Sequence, residues 1–487
     1  MKFKTIKKTA KFTVFLFIVC LVGCVTDDPV MEDPDGNTPG EDPPPTENTN
    51  ISTTLKASRL SGPAPLAVQF DAIGTTHEND DLDTYRELGY HFTFDDPTSG
   101  TWKHSGKSKN SQIGGPIAAH VFETPGTYTV RVRAQDSAGN FDDESVIIVV
   151  TDPDTVFSGE KTVVISKTGN TSGAPSGAQL LTNQTSWPQW ESGKRYLLMA
   201  GQDFSSFGDI RIYKNENIQV GKIGSGADPI VKQVNVDRGT APSNWSKGVV
   251  ISDLNSERVT IPNSSEDVYV IRGSNGGISI GSSVKHWVVE KGNDDLIWPE
   301  NIFIYESRGV GAWVLSRGLN ILGVEMSDPR EHNIRTAYLV KAFIAHNLLY
   351  RAARTKHNIK IHAEGILENE NERLVKNSLS SATRWVVVAN NTMGNGEPQP
   401  NGWAMTVCAE NGNKVQGVHD VIVENNNFAS QYNVEVILGG ARLTERGNTS
   451  IEEYKLKLSN SVHQLPASWD GPYFTDAEQI IPEAPGL

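Results

Sequence analysis

The sequence is poor in cysteine, in long apolar runs and in positive charge, and each shortage removes a class of answer. Three cysteines occur in 487 residues, Cys20, Cys24 and Cys408. Two of them lie in the first turns of a leader-like start, which leaves one thiol for the body of the chain and no internal disulfide. A chain of this size must then be held by core burial and hydrogen bonding. The apolar run Phe12–Val22 is too short for a membrane-spanning helix, which needs ~20 residues. Lys and Arg number 44 against 58 Asp and Glu, for a formal charge of −14. That balance argues against nucleic acid as a partner. Long amphipathic helical patterns are not evident.

What is present begins with a basic start. Residues 1–11 hold five lysines and no acid, and the apolar run follows directly. Basic n-region, apolar h-region and a small residue at the cut are the layout of a secretory signal. Leu21-Val22-Gly23-Cys24 resembles the lipobox of bacterial lipoproteins, which implies cleavage before Cys24, lipidation of Cys24 and a membrane anchor. Asp27-Asp28 resembles the short acidic signal that sends many such lipoproteins to the outer face of the outer membrane, so exposure at the cell surface is the expectation. Without the five leader lysines the formal charge becomes −19. Residues 24–50, rich in Asp, Glu, Pro, Thr and Asn, read as an extended tether.

Residues 51–152 read as a small β domain. Val68–Ala72, Tyr128–Ala134 and Ser145–Val150 alternate in polarity, with turn signals at Gly62-Pro63, Pro125-Gly126 and Ala138-Gly139-Asn140. Short alternating strands over about 100 residues suit a β-sandwich. Ser61–Phe70 and His120–Val130 resemble the opening and closing motifs of a PKD domain. Phe92-Thr93-Phe94-Asp95-Asp96 stands where that family usually carries a Trp-Asp-Phe-Gly-Asp run, so the tryptophan is lost. Such domains usually act as spacers or glycan contacts. Thr151-Asp152-Pro153-Asp154 reads as a linker, which predicts light packing, or none, between this domain and the larger C-terminal part of the chain.

Residues 155–487 contain many short apolar strands broken by Asn and Gly. Glu331-His332-Asn333-Ile334-Arg335 recurs as Lys356-His357-Asn358-Ile359-Lys360, an offset of 25. Ile359–Glu364 aligns with Met405–Glu410. A further series ends strands with asparagine, at Asn347, Asn390-Asn391 and Asn425-Asn426. Rungs of this length with two or three strands each are the pattern of a parallel β-helix, and asparagines at the turns can stack into a hydrogen-bonded ladder. Over roughly 270–440 the pattern resembles the right-handed β-helix superfamily of pectate lyases and related carbohydrate-active proteins. The fold class is therefore all-β, a PKD-type sandwich followed by a right-handed parallel β-helix, with a sandwich or propeller as the alternative for the second part. Ile334 should stack near Ile359 inside the coil.

Alternation then assigns faces. Ile334, Ile359, Ile361, Met405 and Val407 point in. Arg335, Lys360, His362, Glu364 and Glu410 point out, with Arg335 beside Lys360 and Glu364 beside Glu410. Residues 330–362 hold seven Lys or Arg, four His and one acid, Glu331, inside an acidic chain. A basic island of this kind suits a local anionic ligand, here an acidic polysaccharide. Cleavage of a uronate polymer by β-elimination needs a cation on the carboxylate, a base and a proton donor. Arg335 suits the first role, because its fork matches a carboxylate. Lys360, beside another cation, suits the second, and His362 the third. Lys341, Arg351, Arg354 and Trp313 complete the expected substrate contacts. The resemblance to β-helix lyases implies this use of Lys, Arg and Ca²⁺, for which Glu364 and Glu410 are the candidate ligands.

Plainer readings stand beside these. The basic stripe can be a solvated face, and the Glu364–Glu410 pair a surface accident. His332 and His357 read as a stacked structural pair, and Asn333 and Asn358 as a ladder. Trp313 can pack under a loop. A two-carboxylate glycosidase, through Glu364 and Glu410 or Asp294-Asp295, ranks below the lyase because cations dominate the patch. The other function class is a non-catalytic glycan-binding or adhesive lipoprotein, expected as a monomer. A groove walled by segments 365–383 and 394–402 would mark an active site, and a flat face would mark binding.

Overall fold

The computed structural model describes residues 50–236, 246–261, 265–280, 300–309, 311–362, 383–408, 418–458 and 480–481. Strands from Thr162–Ile165 to Leu456–Leu458 pair in parallel, each rung on the next, in one continuous parallel β-helix. Three sheets run along it. The first contains Ser246–Ser252, Ser265–Ile271, Glu300–Tyr305, the ends of Ala312–Leu322 and Ile334–Ala345, and then Thr383–Ala389 and Val418–Glu424. The second contains short strands such as Leu348–Tyr350 and Thr392–Met393. The third contains Ile278–Ile280, the beginnings of Ala312–Leu322 and Ile334–Ala345, and then His357–Ile361, Gln399–Cys408 and Tyr432–Gly439.

Stacking repeats one side-chain position as a column. Ile334 pairs with Ile359 and Ile359 with Met405, as the 25-residue repeat requires, and all three are buried in the coil interior. Each buried aliphatic contributes roughly 1.5–3 kcal/mol. The corner between the first and second sheets is turned by one residue per rung in the left-handed region, among them Arg272, His346, Asn390 and Asn425. The residue after it lies inside, and from Asn347 onward it is asparagine. Asn347 Nδ2 donates to Asn391 Oδ1 at 2.8 Å, Asn391 to Asn426 at 2.9 Å and Asn426 to Asn448 at 2.9 Å. Each amide also donates to a carbonyl of the preceding rung, so the buried donors are satisfied. Asn333 and Asn358, expected to form a ladder, do not bond to each other. Asn333 donates to Met326 O and Asn358 to Tyr432 Oη, because the wider corner before the third sheet separates the two amides from the ladder column.

The N-terminal domain is a sandwich of a five-stranded sheet and a three-stranded sheet around Phe70, Phe92, Phe94, Val130 and Val132. It does not sit apart. Ala67, Tyr85, Trp102, Ile117, Ala119 and Val121 form one core with Val250, Tyr269, Phe303, Phe343, Val387 and Ile422 on the outer face of the first sheet. The expected linker is also folded: Asp152 caps the short helix Pro153–Val156, and Asp154 pairs with Arg195 of the coil at 2.5 Å. The expectation of light packing is thus overturned, because the coil presents an apolar column that something must cover.

Candidate functional site

On the third sheet alternation leaves a mostly polar outer column. Ser279, Trp313, Arg335, Lys360 and Thr406 stand in direct register on successive rungs. Arg335 and Lys360 are therefore neighbours across one rung, as expected, and both are half-buried. Arg335 Nη1 donates to Glu331 Oε2 at 3.0 Å, and its Nε donates to His362 Nε2 at 3.5 Å. Burial alone would raise the Glu331 carboxyl. Lys356 and Arg335 outweigh it and hold the group below the usual range.

His362 corrects the expectation of a wholly exposed trio. Its ring meets Arg335, but the residue is only 3 % exposed. Its Nε2 lies 3.5 Å from the Arg335 Nε, so it packs against Arg335 rather than facing solvent. His332 and His357 do form the stacked pair, at 5.2 Å and 26°, and Trp403 extends the stack at 5.1 Å from His357. His332 Nδ1 accepts from the His357 backbone N–H at 3.0 Å. Burial first, then nearby cations, push His332 down to about 4, and burial with His332 and Lys360 pushes His357 down to about 3. Both are neutral at neutral pH.

The rest of the basic island scatters around the coil. Lys341 is no substrate contact on this face: it sits on the first sheet, paired with Asp71 of the sandwich. His346 also lies under the sandwich, stacked on Trp102. Arg351 is held by Asp328 through Nε at 2.7 Å and Nη2 at 2.5 Å. It and the exposed Arg354 line a cleft of about 300 Å³ whose opposite wall is Glu397–Gly402, so the 394–402 segment does wall this corner. Glu364, Glu410, Asp294, Asp295, Cys24, most of 365–383 and the Trp313 side chain lie outside the described residues. Among the described residues no group of three or more His, Cys, Asp or Glu is placed to hold a metal.

One feature was missed in the sequence. A cleft of about 550 Å³ opens beside Arg335, lined by Arg258, Gly276, Gly277, Ser279, Gly311, Arg330, Glu331 and His332. Its three arginines come from two distant parts of the chain, and its floor is glycine. The signal available was the glycine pair Gly276-Gly277 recurring at Gly311.

Residues 52–149 match the PKD domain family. The comparison with curated proteins finds no match. Solved structures similar to the chain include PfbA, a surface adhesin of Streptococcus pneumoniae, 12 % identical over 53 % of this chain and 73 % of that one, with a TM-score of 0.35. The Yersinia enterocolitica family 28 exopolygalacturonase is 10 % identical over 88 % of this chain and 84 % of that one, with a TM-score of 0.36. At these values neither likeness bears on activity.

Proposed function

We propose that this is a cell-surface lipoprotein, anchored through Cys24, that binds an acidic, uronate-containing polysaccharide on the third sheet of its coil. The observation that carries the reading is the glycine-floored cleft with Arg258, Arg330 and Arg335 on its walls. Arg258 and Arg330 are exposed and have no carboxylate partner among the described residues. Several coil cations do pair with a carboxylate of the adjacent rung, as Lys247 with Glu266, Arg272 with Asp253 and Arg442 with Asp420. Guanidinium forks exposed beside a cleft suit carboxylates. Titration with polygalacturonate and with a neutral glucan tests this: binding only the acidic polymer, weakened by salt, is the expected result, and equal binding of both would overturn it.

A second reading, eliminative cleavage, is favoured by one observation, the register of Lys360 beside Arg335. In that reading Lys360 is the base, so Lys360→Ala loses 10²–10⁴-fold in turnover, the usual contribution of a general base, while binding persists. Binding is preferred because His332 and His357 are neutral and His362, the candidate proton donor, is almost wholly buried. Unsaturated product, followed by its absorbance on incubation with acidic polysaccharides, would reverse that preference.

A further inference from the structure

The cleft has a built-in length. Arg258 precedes Val259, which pairs with Ile278. Ile278 pairs with Ala312, and Ala312 with Ile334. The row carrying Arg258 therefore runs on through Gly277, Gly311 and Asn333. Two of these have no side chain, and the Asn333 side chain turns inward to Met326 O at 3.0 Å. The next wall is the outward corner that carries Arg330, followed by Arg335 on its strand. Rungs stack at ~4.8 Å, so the Arg258 wall and the Arg330–Arg335 wall are three steps, or ~14 Å, apart.

The bare floor is imposed by the stacking itself. A Cβ on Gly311 would meet His332 O at 2.9 Å and Asn333 O at 3.1 Å, and one on Gly276 would meet Glu257 O at 2.3 Å. Glycine is thus required at Gly311 and at Gly276 beside the row, and the consequence is a strip of backbone that a sugar ring can approach closely. Ser279 supplies a hydroxyl at its side.

We propose that this cleft recognises two carboxylates of one glycan chain lying along the coil axis, about three sugar units apart. One is held by Arg258 and the other by Arg330 with Arg335, and the rings between them lie over Gly277 and Gly311. The inference rests on the acidic-polysaccharide reading and adds a direction and a minimum length to it. Taking each sugar unit to advance by about one rung spacing, a chain of four units is the shortest that engages both walls. Shorter chains reach one wall only.

Calorimetric titration of the whole protein with oligogalacturonides and oligomannuronates of two to seven units tests the spacing. Affinity should be weak and nearly constant for two and three units, rise at least tenfold at four or five, and then level off. Arg258→Ala should abolish the rise and leave the two-unit affinity within twofold. Arg330→Ala should weaken every length. Both residues are exposed, so the variants should fold, and an unchanged melting curve would verify it. An even gain per added unit, or an equal loss at all lengths in Arg258→Ala, overturns the spacing while leaving acidic-glycan binding intact. No binding of any oligomer or of either polymer overturns both.

Discussion

The coil treats two of its faces in opposite ways. Outer positions of the first sheet are mostly apolar: Val250, Tyr269, Phe303, Phe343, Val387 and Ile422 stand in one column under the sandwich, with Asn320 between Phe303 and Phe343 bonded to Gln69. Outer positions of the third sheet are mostly polar: Ser279, Arg335, Lys360 and Thr406 occupy the corresponding column, in which Trp313 and Ile437 also stand. The inner faces of both are equally aliphatic. The outward side chain of a strand therefore reports what lies beyond it. The sandwich covers one face, and the face without a cover among the described residues carries Arg335 and Lys360.

The strongest way to break this contrast is to remove the cover. A chain lacking residues 51–152 would expose a contiguous apolar column far larger than the scattered single residues that soluble surfaces tolerate. The expected outcome is loss of soluble monomer, read by size-exclusion chromatography with light scattering. A truncated coil that remains monomeric with an unchanged melting temperature would show that the sandwich is a dispensable spacer.

A smaller but sharper effect comes from the charges trapped under the sandwich. Arg446 and Glu424, in register on adjacent rungs, are fully buried and joined at 2.8 Å. Glu424 Oε1 also accepts from the Gly115 backbone at 2.8 Å, and Arg446 donates to Arg86 O at 3.0 Å. Arg446→Ala leaves a buried carboxylate without its partner and should cost about 3–5 kcal/mol. The double variant Glu424→Leu, Arg446→Met should recover much of it. Urea denaturation of the three proteins decides between a buried pair and an indifferent one.

The same two faces explain how far the sequence could be read. Ile334 and Ile359 declared their register because a 25-residue offset repeats an alternating pattern around them. The basic island misled because one rung wraps the whole perimeter: Arg330 stands at a corner, Arg335 on the third sheet, Lys341 on the first, His346 at the corner after it, Arg351 at a corner and Lys360 on the third again. Alternation separates inside from outside but does not say which of three sheets a residue occupies. Only the pairs one full rung apart, Arg335 and Lys360, were brought together. The docked sandwich did leave a trace. First-sheet strands read as unbroken apolar runs, Phe303-Ile304-Tyr305, Val386-Val387-Val388 and Val421-Ile422-Val423, which is the mark of a parallel strand buried on both faces. Third-sheet strands alternate, as in Ile359-Lys360-Ile361. The Arg258–Arg330 juxtaposition had no such trace, since nothing in the local pattern near either residue counts the rungs between them.

Acid should probe the covered face next. His346 lies between Ser105, 2.8 Å from Nδ1, and Gln112, 3.0 Å from Nε2, with Trp102 stacked on it at 4.8 Å. Burial, helped by Lys107, pushes it down to about 3. Between the ordinary histidine value near 6.5 and that figure the unfolded chain binds the proton and the folded chain refuses it. Stability therefore falls as pH falls through this window, by up to ~1.4 kcal/mol per pH unit from this residue. His346→Asn should flatten the slope, since asparagine already fills the same left-handed corner at Asn390 and Asn425. The slope that remains below pH 6.5 should come from the other histidines that burial lowers, His332, His357, His120 and His419 among them. An unchanged slope in the variant would mean that the sandwich does not hold His346 neutral.

The smallest effect on stability belongs to the open face, and there the contrast is most exposed to failure. Arg330 lies at a corner with no carboxylate partner among the described residues and with its side chain lining the glycine-floored cleft. No packing depends on it, and a surface change of this kind stays within about 0.5 kcal/mol. Arg330→Ala should accordingly leave the urea midpoint unchanged. It should nevertheless weaken acidic-polysaccharide binding by roughly tenfold, because a charge-assisted hydrogen bond contributes ~1.5–3 kcal/mol. It should also reduce the dependence of that binding on salt, since one of the exposed cations that the salt screens is gone. A variant that loses stability and binding together would place Arg330 in the fold. One that loses neither would leave the cleft without a function for its cations, and the two faces of the coil would then differ only in what covers them.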